Sequence, residues 1–120
     1  MAICCSNSLR SVLNIWGNYK DHRHTRLFLE FMALANHRPV IRDEIAQYTN
    51  KARRQRAEVL ASELNLDALE PDTCSATGLA VLMIGVARTL VMERGLGISL
   101  GHDEATAFVE WWLKKLHKPT

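Results

Sequence analysis

Apolar positions along this chain recur with a helical period almost throughout. Leu9, Val12, Leu13, Trp16 and Tyr19 fall at spacings of three and four, which places them on one face of a helix expected from about Ser8 to Lys20. A second helix is expected from about His24 to Asn36, with Leu27, Phe28, Phe31, Met32, Leu34 and Ala35 as a broad apolar face and Arg26 and Glu30 opposite. Pro39 suits the first turn of a third helix, where its missing N–H matters least. That helix is expected to reach about Leu64, with Ile41, Ile45, Tyr48, Ala52, Val59 or Leu60, and Leu64 as its buried stripe. The stretch LDALEPDT breaks the pattern, and Asp72 reads as an N-cap for a fourth helix that ends at about Arg94, where Gly95 and Gly97 stop it. A fifth, from about Asp103 to His117, opens with acids and closes with lysines, as the helix dipole prefers. Alternating strand patterns and Asn-Gly or Asp-Gly hairpin signals are absent from the sequence. The expected class is all-α, with five helices in one domain over residues 9–117 and short tails at 1–8 and 118–120.

The fourth helix is the unusual one. In LAVLMIGVARTLVM (residues 79 to 92) only Arg88 and Thr89 are polar, whereas a surface helix should carry one apolar stripe and one polar face. A membrane span needs about 20 apolar residues. Even extended back to Ala76 the segment is shorter than that and carries Arg88, so a buried helix of a soluble protein is expected. On a helical wheel, Leu79, Met83, Val86 and Leu90 with Ala76, Ala80 and Ala87 form one face, suited to the chain's own core. Gly78, Gly85 and Met92 line the other at strict sevens, beside Val81, Leu82 and Thr89. Each helical glycine costs about 1 kcal/mol, and a line of them lets another backbone approach closely. In the last helix Phe108, Val109, Trp112, Leu113 and Leu116 share an arc with Ala105, and Trp111 sits off it. Two terminal helices with so much apolar surface point to a homodimer joined by a four-helix bundle, two helices from each chain.

Composition adds exclusions more than identity. Of 120 residues, 48% are hydrophobic and 23% charged, an ordinary globular balance. A net charge of +2, from 15 basic and 13 acidic side chains, gives no strong pull toward nucleic acid or an anionic membrane. Cys4, Cys5 and Cys74 cannot all pair and form no C-x-x-C, so free thiols in a reducing cytoplasm are expected. MAICCSNSLR lacks the basic start and apolar run of a signal peptide.

The run KARRQR, Lys51 to Arg56, fans out around a helix that also carries Glu44, Glu58 and Glu63, so it reads as a solvated face. Asp21, His22 and His24 occupy an expected turn with no further ligand at a metal-site spacing, so no metal is expected. His102 and Glu104 have no accompanying nucleophile or cleft signal, and no catalytic residue is assigned. Arg88 is the informative charge. A cation within an apolar helix needs an acidic partner such as Glu30 or Glu110, a snorkelling path, or a ligand carboxylate.

RHTRLFLEFMALANHRPVIRDEIAQYTNKARRQR, followed by an apolar helix ending VARTLVMERGLGIS and a Trp-rich closing helix, resembles the C-terminal domain of TetR-type transcriptional regulators over about residues 9 to 117. That resemblance implies an all-helical domain that senses small molecules and dimerises through its last two helices. Carried onto this chain, the bundle falls on Gly78, Val81, Leu82, Gly85, Thr89 and Met92 with Val109, Trp112 and Leu116. The ligand cavity would draw on Trp16, Phe28, Phe31, Met32, Tyr48 and Met83, with Arg88 beside them. Aromatic rings and methionines suit an apolar or amphipathic ligand, with no cofactor implied. The helix-turn-helix head of these regulators has no counterpart ahead of the first helix, so direct DNA reading is not expected of this chain. The alternative expectation is a helical protein-interaction module that dimerises, or pairs with a full-length regulator, without a small ligand.

Overall fold

The computed structural model describes residues 2–66 and 75–118, without the side chains of residues 2–9, 19 and 22. Five helices follow in chain order: α1 (Ala2–Tyr19), α2 (His22–Ala35), α3 (Pro39–Glu63), α4 (Ala76–Gly95) and α5 (His102–Leu116). Among the described residues there is no strand. One isolated bridge joins Leu64 to His117, with Asn65 N–H donating to Leu116 O at 2.7 Å and Lys118 N–H to Glu63 O at 2.9 Å. These bonds tie the end of α5 to the end of α3.

Helix α1 starts earlier than the pattern suggests. The first apolar residue of the stripe is Leu9, but no proline or glycine stands before it, and the helix continues back to Ala2. Asp72 lies outside the described residues. The observed cap of α4 is Ser75, whose hydroxyl accepts from Gly78 N–H at 2.9 Å. At its far end Gly97 has φ +76°. Gly97 N–H donates to Arg94 O and Ile98 N–H to Glu93 O, a Schellman closure that needs the left-handed residue at Gly97. Gly101, also left-handed at φ +82°, opens α5, whose first turn holds Asp103 and Glu104 and whose last holds Lys114 and Lys115.

Helix α4 packs against each of the other four. Its inward arc, Ala80, Met83, Ala87 and Leu90, meets Val12 and Trp16 of α1, Leu60 of α3, Leu64 just beyond it, and Leu113 and Leu116 of α5. Ala76, Leu79 and Val86 flank that cluster partly buried, so the wheel's inner face is the one that packs inward. Burying a large aliphatic side chain contributes about 1.5–3 kcal/mol, which makes this line the main source of stability. By length and composition α4 is able to cross a bilayer, at 20 residues and a mean hydropathy of 1.5. It therefore reaches a length that LAVLMIGVARTLVM alone falls short of; 28% of its apolar window is buried, and its inward arc carries the centre of the core.

The two middle helices depart most from the expected stripes. On α2, Leu27, Phe31, Met32 and Leu34 are exposed, while Thr25 and Ala35 are buried and Phe28 is half-buried. On α3 the buried residues are Ala57 and Leu60, at its C-terminal end, and Tyr48 is exposed. Both helices extend beyond the core, and the space between their outer parts is a cleft.

Candidate functional site

Three helices wall that cleft, each through residues one turn apart. Helix α2 supplies His24, Thr25, Leu27, Phe28 and Phe31, preceded by its capping residue Asp21; α3 supplies Tyr48, Thr49, Ala52, Arg53 and Arg56; α4 supplies Ile84 and Arg88; Asn18 closes one end. The cavity volume is about 550 Å³, within the range of roughly 300–1,000 Å³ typical of small-molecule sites.

The expected ligand residues divide. Phe28, Phe31, Tyr48 and Arg88 line the cleft. Trp16 and Met83 do not, because both are consumed by the core, at 1% and 2% exposure. The Trp16 ring lies under Lys20 Nζ at 5.2 Å, and its indole N–H has no hydrogen-bond partner among the described residues. Met32 is exposed and lies outside the cleft lining.

Both acids named for Arg88 make ion pairs with other residues. Glu110 pairs with Lys20 at 3.4 Å, and Glu30 with Arg26 at 3.7 Å. The Arg88 guanidinium lies over the Phe28 ring, 5.1 Å from its centroid, a cation–π arrangement that fixes both groups in the cleft wall. The run KARRQR is only partly a solvated face. Arg54 and Gln55 are exposed, whereas Arg53 and Arg56 are half-buried and line the cleft. The signal for this was present: Thr49, Ala52, Arg53 and Arg56 lie at the spacing that puts side chains on one helix face. Thr49 Oγ1 is buried without a hydrogen-bond partner among the described residues.

At the rim Asp21 caps α2, accepting from Arg23 N–H at 3.0 Å and His24 N–H at 3.4 Å, with its other oxygen 3.0 Å from His24 Nδ1. The His24 ring, and then the His24 backbone N–H, hold the Asp21 carboxyl below its ordinary value. His24 thus serves a cap. Among the described residues no group of three or more potential metal ligands gathers.

A second concavity, about 540 Å³, lies between α4 and the entry to α5, lined by Val81, Leu82, Gly85, Val86, Thr89, Leu90, Glu93, Leu100, Gly101, His102 and Ala105. Of the residues assigned to the bundle, Gly78, Val81, Leu82, Gly85, Thr89 and Met92 are all exposed on the single chain. Val109 and Trp112 are half-buried against the core. Leu116 is not on this face: it is 7% exposed and packs into the chain's own core. Phe108, which shares an arc with Leu113 and Leu116 on the helical wheel, turns outward at 59% exposure. It forms a three-ring cluster with Trp111 and Trp112, with centroids 6.0 and 6.2 Å from its own. A Cβ placed on Gly85 meets nothing within 4 Å, so nothing inside the chain requires glycine there. His102 Nε2 reaches Glu93 Oε1 at 3.4 Å and closes one end of the groove.

Fold and site together define a five-helix, all-α domain with a lateral cleft and a separate apolar face, both built on α4. No family model, curated protein or solved structure matches the chain.

Proposed function

We propose that this chain is a small-molecule-sensing and dimerisation domain, similar in plan to that of TetR-type transcriptional regulators. In this reading a ligand occupies the cleft between α2, α3 and α4, and a second copy covers the outer face of α4 and α5. The observation that carries it is the double use of α4. Ile84 and Arg88 line the cleft, while Val81, Gly85 and Thr89, on the adjoining arc of the same helix, lie on the exposed groove. A ligand that shifts α4 therefore changes the surface offered to the partner, which is what a sensor needs. The domain works in the cytoplasm, has no catalytic step, and does not itself contact nucleic acid.

A second reading, a protein-interaction module without a small ligand, is favoured by one feature: Leu100 at 94% exposure and Trp111 at 53% extend the apolar surface past α4. Native mass spectrometry separates the two. A dimer carrying extra mass that is lost on denaturation supports the sensor. A bare dimer that binds no small molecule supports the interaction module, and a monomer overturns both.

A further inference from the structure

Three aromatic side chains line the cleft without stacking on one another. Phe28 and Phe31 stand one turn apart on the α2 wall, and Tyr48 stands on the α3 wall. The ring–ring contacts among the described residues all lie on α5, where Phe108, Trp111 and Trp112 pack together. Phe31 and Tyr48 keep more than half of their surface exposed, at 53% and 67%. Rings that met would gain from offset or edge-to-face packing, but these are held apart across a space of about 550 Å³. The turn at residues 36–38 folds α3 back along α2, so residues at like distances from that turn lie level. Phe28 and Phe31 are therefore roughly level with Tyr48, and His24 with Arg53. The cleft is graded along its length, aromatic toward the turn and polar toward Asn18 and Asp21.

We infer that the cleft takes a flat aromatic compound, a ring system with a hydrogen-bonding group at one edge. This deepens the sensor reading and rests on it. The ring system lies between Phe28 and Phe31 on one wall and Tyr48 on the other, with its polar edge toward Asn18 and His24. An aromatic guest gains twice in such a slot. It covers exposed ring surface on both walls, and its own π face adds contacts that an aliphatic guest of equal area lacks. A flat body also has few rotatable bonds to freeze on binding. Phe28 is the best-held part of the slot, because the Arg88 guanidinium lies 5.1 Å from its ring centroid.

Naphthol and its saturated counterpart decahydronaphthol test this on the intact chain, each titrated calorimetrically and by displacement of the fluorescent dye phenyl-naphthylamine. The two compounds share a carbon skeleton and a hydroxyl, and differ in flatness and π face. Naphthol should bind tighter on the order of tenfold, within the range expected of aromatic contacts. Phe31→Leu and Tyr48→Leu keep an apolar side chain at exposed positions, so both variants should fold as the parent does. Each should remove most of the preference for naphthol and leave decahydronaphthol within about twofold of its parent affinity. Equal affinities for the two compounds, both weakened in Phe31→Ala, overturn the aromatic inference and leave a ligand cleft standing. A preference for naphthol that survives both leucine variants places the aromatic contact elsewhere and overturns the slot. Failure of the dye and both compounds to bind overturns the cleft itself, and the sensor reading with it.

Discussion

The two concavities of this domain have nearly the same volume, about 550 and 540 Å³, and almost opposite chemistry. The cleft between α2, α3 and α4 holds three arginines, two threonines and three aromatic rings. The groove on α4 and α5 is aliphatic along most of its length, with Gly85 at its floor and charged groups only at the Glu93–His102 end. Size therefore says little about what each accepts. A cleft lined by both polar and aromatic side chains suits a small amphipathic occupant. A glycine-bearing aliphatic groove suits a close-packed helix, whose backbone groups are already satisfied internally. One helix serves both because α4 is apolar nearly all round, and Arg88 stands at the border between the two uses.

The largest effect expected is at Gly85. A Cβ there meets no described atom within 4 Å, and leucine removes a glycine from a helix interior, so the single domain should gain roughly 1 kcal/mol. The same side chain fills the groove a partner helix needs, and dimer affinity should fall by about a hundredfold or more. Sedimentation velocity over a dilution series, with thermal melts of the same samples, reads the two effects separately. A variant that stays dimeric at the lowest concentration means that the partner does not sit at Gly85. Phe31→Ala acts on the other region. With Phe31 already 53% exposed, stability should change by no more than about 0.5 kcal/mol, while the affinity of the cleft for an apolar fluorescent dye such as phenyl-naphthylamine falls about tenfold through the lost aromatic contact. An altered oligomer in this variant would show that the two regions are not separable.

Legibility in the sequence followed burial. Where a stripe is fully buried, as with Val12 and Trp16 on α1 or Ala80, Met83, Ala87 and Leu90 on α4, spacing alone located it. Where a helix extends past the core, the same periodicity misled. Leu27, Phe31 and Leu34 form a good apolar stripe, yet about half of each stays exposed. Helical spacing records which residues share a face but not whether a neighbour reaches that face. The cleft was half legible for the same reason. Aromatic residues announced themselves by type, but Trp16 and Met83 were claimed by the core and Arg53 and Arg56 were hidden in a run that looked solvated. Which side of α3 faces α4 is a tertiary fact, set by Leu60 and Leu64 packing into the core, and no local pattern carries it.

Thr49 offers a smaller test that sharpens the contrast from the cleft side. Its hydroxyl is buried without a partner among the described residues, an arrangement that costs about 1–3 kcal/mol relative to an apolar group of the same shape. Thr49→Val should therefore raise the stability of the ligand-free domain by about 1 kcal/mol. The same change should leave the dimer unaltered, because Thr49 lies in the cleft lining and not on the α4–α5 groove. A variant that melts no higher than the parent would mean that the hydroxyl is satisfied in solution.

The smallest effect expected is at Asp21, on the cleft rim, and its sign follows from linkage. The His24 ring and the backbone N–H groups stabilise the carboxylate, so its folded value lies below its unfolded one. Its contribution is then fully present above the unfolded value and is lost as pH falls through the folded value, below about pH 4. Asparagine keeps the capping geometry and removes the charge. Asp21→Asn should melt slightly lower than the parent at pH 7 and converge with it in acid. The dimer should not respond, because Asp21 lies in the cleft lining and not on the α4–α5 groove. A response of the dimer to Asp21→Asn would mean that charge at the cleft reaches the partner face through α4, joining the two regions that differ most in chemistry into one switch.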